Sequence, residues 1–212
     1  MKVGMEMTIV SNLWAALINK IYLLPALLIS ITLHELAHGY TAYLLGDNTA
    51  KISKRLTFNP IYHIDLIGFI LLLTVGFGWA KPVPINPNNF KNRKKGIFIV
   101  SIAGPLANLF FTIILAMLIA KGIMLNNIIL RYLKILLWYN VVLGIFNLLP
   151  VPPLDGSKIL YSIIPDKFGS FLIKHENYLY LILIFLLLTD TIDNVLNPLI
   201  NFWFKLLSII IS

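Results

Sequence analysis

The stretch Ile31-Thr32-Leu33-His34-Glu35-Leu36-Ala37-His38-Gly39-Tyr40 carries an HExxH motif inside an apolar run from Ile21 to Leu45. Residues four apart lie on one face of an α-helix, so His34 and His38 can bind one metal ion with Glu35 beside it. This pattern is typical of a zinc hydrolase. A catalytic zinc site has three protein ligands, so a third His, Asp or Glu must come from elsewhere in the chain.

The composition indicates an integral membrane protein. Of the 212 residues, 58% are hydrophobic and only 12% are charged. Three ionisable groups in an apolar run long enough to cross a bilayer are costly, which favours a functional role over a chance motif. The chain has no cysteine, so a metal must be bound by His, Asp or Glu. The N-terminus lacks the features of a cleavable signal peptide, and we expect the first helix to be retained.

The net charge of +8 comes from bases scattered between apolar segments, without a nucleic-acid-binding motif. We therefore predict no nucleic-acid partner. Eight Lys and Arg residues lie between Gly46 and Gly96, and three more are Lys158, Lys167 and Lys174. The positive-inside rule predicts that both stretches are cytoplasmic. The HExxH helix then runs inward across the cell membrane, which places the active site within the membrane, nearer its cytoplasmic side.

The apolar segments predict an all-α polytopic membrane protein with about five transmembrane helices. Leu66 to Ala80 is too short to span, has basic residues on both sides, and is interrupted by glycines and followed by prolines. Residues 66–85 are therefore predicted to form a re-entrant or extended hairpin. We expect one peptidase domain over 1–212, with a core at 21–158 and C-terminal helices at 171–212. The predicted helices are an interfacial one at 5–20 and spans at 21–45, 97–120, 128–150, 171–189 and 196–211.

Asp155 is the best candidate for the third metal ligand. Prolines precede it and Gly156 follows, so its carboxylate lies on irregular backbone, which at membrane depth must line a cavity or the protein interior. The predicted topology also brings it to the membrane side where the HExxH helix ends. A turn or helix cap is the alternative role for Asp155. The other candidates are His63 and Asp65, interpreted as a cytoplasmic turn, and His175 and Glu176, interpreted as solvated or headgroup-level residues.

Three motifs in order, HELAHGY at 34–40, AGPLAN at 103–108 and FNLLPVPPLDG at 146–156, resemble the site-2 protease family of intramembrane zinc metalloproteases. The resemblance extends over about Ile21 to Lys158 and is to the compact prokaryotic type, since no stretch resembles a PDZ or CBS domain. It implies that His34, His38 and Asp155 bind one zinc ion per chain and that Glu35 is the general base.

The resemblance also implies a substrate-binding role for Asn147, at the substrate or the oxyanion, and for Asn108, as support within the core. Hydrogen bonding between helices is the alternative for both asparagines.

The function predicted from these residues is an intramembrane zinc metalloendopeptidase that hydrolyses peptide bonds within or near transmembrane segments. A transmembrane helix must unwind before water can attack it. We expect a single-span protein or signal-peptide remnant to enter from the bilayer and to lie as a strand against residues 66–85. A catalytically silent helix-binding chaperone and a metal transporter are the alternatives. The intact Glu35 argues against the first and the lack of an inverted repeat against the second. The oligomeric state is left open.

Overall fold

The computed structural model describes residues 2–74, 78–121, 126–165, 169 and 174–211, with side chains from residue 23 onward. Within this part of the chain the regular structure is helical, with one isolated β-bridge. The helices are α1 (Lys2–Leu44), α2 (Thr49–Ile52), α3 (Leu66–Thr74), α4 (Arg93–Ala120), α5 (Asn127–Asn147), α6 (Asp155–Ile163), α7 (Glu176–Leu188) and α8 (Asp193–Ile211), with 3₁₀ turns at Pro60–His63 and Pro87–Asn89.

Three of the described helices, α4, α5 and α8, are long and apolar enough to cross a membrane. The predicted all-α membrane fold is therefore confirmed, whereas the count of about five spans stays a prediction. The span predicted at 171–189 is described only in part, because residues 171–173 lie outside the described residues. Its described part, α7, has 13 residues, fewer than the ~20 that a spanning helix needs.

The N-terminal part of the chain differs from the prediction. The separate interfacial helix expected at 5–20 is wrong, because the backbone forms one helix of 43 residues, Lys2–Leu44, that continues through Pro25. Neighbouring helices and local adjustment allow an apolar helix to tolerate a proline of this kind. The helix ends where predicted: Gly46 has φ +99°, and Asp47 N–H donates to Ala42 O at 2.9 Å, as in a Schellman motif.

The core lies where α1, α4 and α5 pack together, with α6 against α4. Gly144 of α5 allows the close approach of α4, because a Cβ there would lie 2.9 Å from Leu109 Cγ. Helix α8 covers the outer side of this pair, where Trp203 Nε1–H donates to Thr112 Oγ1 at 2.9 Å. Helix α4 also packs against both α1 and α6, the helices that carry the predicted metal ligands.

Residues 64–74 and 78–80 form two limbs that meet again next to the helical core. Ile64 and Ala80 form an antiparallel bridge, and Lys81 N–H donates to His63 O at 3.0 Å. A Cβ on Gly68 would lie 2.2 Å from Trp79 O, so the two limbs touch through their backbones. This agrees with the predicted hairpin, although its first limb is helix α3 rather than an extended strand. Residues 75–77 lie outside the described residues.

Candidate metal centre and active site

The two histidines of the HExxH motif and Asp155 converge on one point. His34 and His38 lie one turn apart on α1, and Asp155 is the first residue of α6. Asp155 Oδ2 lies 3.0 Å from His34 Nε2 and 2.9 Å from His38 Nε2, and the two Nε2 atoms are 3.0 Å apart. All three side chains are buried, with 5–6% of each residue exposed. The predicted ligand set is thus brought together across 121 residues of sequence.

Three such donor atoms fit a tetrahedral zinc ion. Ligand atoms that each lie ~2.0–2.1 Å from Zn²⁺ are roughly 3.3 Å from one another, close to the spacing observed here. These are the three residues within the described part of the chain that could hold a metal as a group of His, Cys, Asp or Glu. The chemistry of the set, two imidazoles and a carboxylate, is that of a catalytic rather than a structural zinc site.

A hydrogen bond at Nδ1 of His38 determines which of its two ring nitrogens can bind a metal ion. Nδ1 lies 2.7 Å from the carbonyl oxygen of Val100. A carbonyl oxygen can only accept, so the proton of the neutral imidazole is on Nδ1 and the lone pair is on Nε2. His38 therefore presents a ligand atom to Asp155 and His34 without any rearrangement.

His34 is held in the same state by a side chain. Its Nδ1 lies 2.7 Å from Asn108 Oδ1, while the amide nitrogen of Asn108 donates to Ser30 O at 2.9 Å. Because Ser30 O is an acceptor, the orientation of the Asn108 amide is fixed with its oxygen towards His34. The proton is then on Nδ1 of His34, and its Nε2 carries the lone pair.

Asp155 is positioned by a tight turn between α5 and α6. A Cβ on Gly156 would lie 2.3 Å from the carbonyl oxygens of both Leu148 and Leu149, so the chain can fold back only with glycine there. The second carboxylate oxygen, Oδ1, accepts a hydrogen bond from Lys158 Nζ at 3.0 Å. One oxygen is thus held by Lys158, and the other faces the histidines.

The other candidates for the third ligand lie elsewhere. Asp65 Oδ1 accepts from Gly68 N–H at 2.9 Å and caps α3. His63 Nε2–H donates to Thr57 O at 2.9 Å, in the turn where it was predicted. His175 and Glu176 lie at the start of α7. Asp155 is therefore the candidate that joins the two histidines.

Glu35 points to the extended segment that follows the hairpin. Its Oε2 accepts a hydrogen bond from the backbone N–H of Val83 at 2.8 Å. Pro82 and Pro84, on either side, have no N–H. Val83 therefore supplies the donor of this short stretch, and that donor holds the carboxylate beside the metal ligands.

The comparisons with known proteins agree with this geometry. The model of peptidase family M50 matches residues 22–124 and 117–189, which include the HExxH motif and Asp155. The chain belongs to peptidase family M50. Members similar to it are named as zinc metalloproteases, and this M50 protein is a zinc metalloprotease.

Three relatives give the extent of the similarity. A protein of Bacillus subtilis assigned as a zinc metalloprotease, YwhC, is 41% identical over 192 residues, covering 85% of this chain and 86% of the relative. Zinc metalloprotease MJ0392 of Methanocaldococcus jannaschii is 32% identical over 79% of this chain but only 40% of its own length. Rip2 of Mycolicibacterium smegmatis, also assigned as a zinc metalloprotease, is 29% identical over 84% of this chain and 67% of its own. No solved structure matches the chain.

The metal centre of this M50 peptidase opens into a cavity of about 1240 Å³. Helices α1 and α6, which carry the metal ligands, form part of its wall, and the hairpin, α4, α5 and α7 form further parts. The lining includes Glu35, Trp79, Asn147 and Tyr180. Asn147 lies at this cavity with its Nδ2 donating to Leu143 O at 2.9 Å. The predicted substrate-binding role of Asn147 therefore stays a prediction, at a position that a substrate can reach.

Asn108 lies away from this cavity, and its contacts agree with the predicted support within the core rather than with a contact to substrate. It is fully buried, and its amide is engaged by His34, Ser30 and Asn140. Because Asn108 is fully buried and is absent from the lining of the cavity, a substrate in that cavity does not reach it. Asn108 therefore supports His34 instead, which is closer to the hydrogen bonding between helices that was the alternative.

Gly104 makes room for the two imidazoles of this M50 site. A Cβ there would lie 2.4 Å from His38 Nε2 and 2.8 Å from His34 Cε1. Gly104 was identified from the sequence only as part of the AGPLAN motif, so this role was missed. The available signal was a spacing of four: Val100, Gly104 and Asn108 lie on one face of α4, and all three meet the histidines.

Proposed function

We propose that this zinc metalloprotease is an intramembrane endopeptidase of the cell membrane, with its active site nearer the cytoplasmic side. The observation that carries the proposal is a buried His34–His38–Asp155 cluster that opens, together with Glu35, into a large cavity among apolar helices. A hydrolytic site surrounded by such helices suits a peptide bond that lies in or near the bilayer.

We assign one role to each residue of the site. His34, His38 and Asp155 would hold the zinc ion, which supplies a Lewis acid and a water of lowered pKa. Glu35, oriented by the N–H of Val83, takes a proton from the attacking water at its carboxylate and returns it to the leaving amide nitrogen. Asn147, at the cavity, is proposed to bind the substrate or the oxyanion.

The proposed substrate is a single-span membrane protein or signal-peptide remnant that enters from the bilayer and is held as a strand. Residues 81–84, which follow the hairpin, are suited to bind a strand because of their backbone hydrogen bonds. The N–H groups of Lys81 and Val83 are hydrogen-bonded to His63 and Glu35, and Pro82 and Pro84 have none. The backbone of residues 81–84 can therefore offer a substrate only carbonyl oxygens, of which that of Lys81 already accepts from Arg55 at 2.8 Å. A substrate strand that pairs with this stretch must supply the N–H donors.

The test is cleavage of a fluorescent single-span substrate in detergent by the wild type and by Glu35→Gln. We expect Glu35→Gln to lose at least ~100-fold in turnover, the lower range for removal of a general base, while about one zinc per chain is retained. Asp193→Asn, which changes a carboxylate at the start of α8, is the matched control and should cleave normally. Normal cleavage by Glu35→Gln would overturn the role of Glu35, and cleavage of soluble peptides alone would overturn the intramembrane substrate.

A further inference from the structure

Beside the metal ligands lies a group of three buried polar side chains, of which only Asn108 belongs to a sequence motif. Ser30 of α1, Asn108 of α4 and Asn140 of α5 are all completely buried, at 0% exposure. Three polar side chains from three helices at one buried point are costly unless each is satisfied. The hydrogen bonds among them therefore decide what the group does.

Every donor in this group has an acceptor. Ser30 Oγ–H donates to Ala26 O at 2.8 Å. Asn140 Nδ2 donates to Ser30 Oγ and to Leu136 O, both at 2.8 Å. Asn108 Nδ2 donates to Ser30 O at 2.9 Å and to Asn140 Oδ1 at 2.8 Å. The carbonyl oxygens at Ala26 and Leu136 can only accept, so the direction of the whole chain of hydrogen bonds is determined.

The last hydrogen bond of this chain is made to the metal ligand His34. With both of its N–H groups used by Ser30 and Asn140, Asn108 can present only its oxygen to His34 Nδ1, at 2.7 Å. A half-turn of the Asn108 amide would place its oxygen against two other acceptors and would face its NH₂ towards His34. The imidazole would then carry its proton on Nε2, where it could not bind a metal.

We propose that Ser30 and Asn140 are positioning residues of the metal centre, which act through Asn108 to keep the proton of His34 on Nδ1. The proposal rests on the metal-binding role proposed for His34. Asn140 contributes the acceptor that makes a turn of the Asn108 amide unfavourable, and Ser30 contributes a second acceptor through its backbone and holds Asn140 through its hydroxyl. Neither residue touches the metal ligands directly.

The test compares Asn140→Leu and Ser30→Ala with the wild type in the metal-free protein. Nitrogen-15 NMR of labelled histidine distinguishes the two ring tautomers without any substrate or metal. We expect His34 to be protonated on Nδ1 in the wild type and to populate both tautomers in Asn140→Leu. Zinc affinity, measured by competition with a chromophoric chelator, should fall about tenfold, the low end of the range for outer-shell partners.

Two further variants separate positioning from packing. Asn140→Asp keeps an acceptor oxygen for Asn108 and should retain most of the Nδ1-protonated form. Thr112→Val removes a buried hydroxyl one turn further along α4, which bonds Leu109 and Trp203 instead of this group, and should leave both the tautomer and the affinity unchanged.

The proposal is overturned if Asn140→Leu and Ser30→Ala, folded as judged by circular dichroism, keep the wild-type tautomer and zinc affinity. It is also overturned if Thr112→Val changes both as much as they do. Since the NMR readout needs neither zinc nor substrate, it separates failure of this proposal from failure of the proposed protease activity. A wild type without bound zinc but with a fixed tautomer would count against the metal role alone.

Discussion

At the scale of single residues, Gly104 is a steric constraint that acts directly on the metal ligands. The atoms that a side chain would meet there belong to the imidazoles of His34 and His38. Each imidazole is hydrogen-bonded through its Nδ1 atom to α4, so it cannot easily move away. Gly104→Ala should therefore displace a ligand and lower zinc affinity by more than ~100-fold, beyond the effect of losing an outer-shell partner. Equilibrium zinc binding measures this directly.

Gly144→Ala is the matched control for that variant. Its added methyl would meet the flexible side chain of Leu109 and Pro105 O, away from the metal ligands. We expect a loss of about 1–3 kcal/mol in the free energy of unfolding from overpacking, with zinc affinity unchanged. Equal zinc binding by wild type and Gly104→Ala would show that the imidazoles do not need this space.

The sequence predicted the residues with local signatures and missed those that depend on distant partners. His34, Glu35 and His38 follow from one helical turn, and Asp155 follows from its prolines and glycine. The orientation of the Asn108 amide depends on Asn140, 32 residues away, and no spacing rule contains that information. The same limit explains why Asn108 was predicted to support the core without His34 being identified as its partner.

At the scale of elements, the segment after the hairpin provides a test of substrate binding. Ala80→Pro removes the backbone N–H just before residues 81–84, whose backbone can offer a substrate only carbonyl oxygens. It leaves the hydrogen bond from Lys81 N–H to His63 O in place. We expect it to slow cleavage of a membrane substrate several-fold without loss of zinc, because one backbone hydrogen bond is worth about 0.5–1.5 kcal/mol. Ala80→Ser keeps the N–H and should cleave normally, and unchanged turnover by Ala80→Pro would contradict strand binding here.

The same segment is tied to the end of α1 by Asp47, which makes its attachment sensitive to acid. Burial raises the pKa of Asp47, but hydrogen bonds from Thr49, Asn86 and Asn89 lower it more, so the net pKa lies below the ordinary value. A depressed carboxyl pKa stabilises the folded protein above the unfolded value of ~3.9, and this stabilisation is lost as pH falls through the folded pKa.

Thermal unfolding in detergent should therefore show a loss of stability below about pH 4 that is smaller in Asp47→Asn. At pH 7 the variant should be less stable by roughly 1–3 kcal/mol, because an amide oxygen cannot accept from all the donors that face the carboxylate. Equal acid sensitivity in the two proteins would show that other groups determine it.

The helices were predicted with different success for physical reasons. Apolar length identifies α4, α5 and α8, because a span must be long and uncharged. The continuity of α1 could not be read from the sequence, since a proline and a change in hydropathy also mark a boundary between two helices. The helical limb of the hairpin was missed because short apolar runs with glycine fit a helix or a strand equally well.

At the scale of the whole molecule, the metal ligands join the first helix to α6 and should stabilise the fold. A ligand present at about 1,000 times its dissociation constant stabilises the bound form by ~4 kcal/mol. Removal of zinc with a chelator should lower the Tm in detergent, and added zinc should restore it. Asp155→Asn, which weakens the ligand set, should show a much smaller shift, and an equal shift would place the metal elsewhere.

The separation of the ligands along the chain also bears on how the protein is made. His34 and Asp155 are 121 residues apart, which at about 5–20 residues per second is roughly 6–24 s of translation. A nascent chain in the membrane therefore carries the histidine pair long before its carboxylate partner exists. The ligand set cannot be completed until α6 has emerged from the ribosome, so the unfinished chain lacks a complete metal site throughout that time.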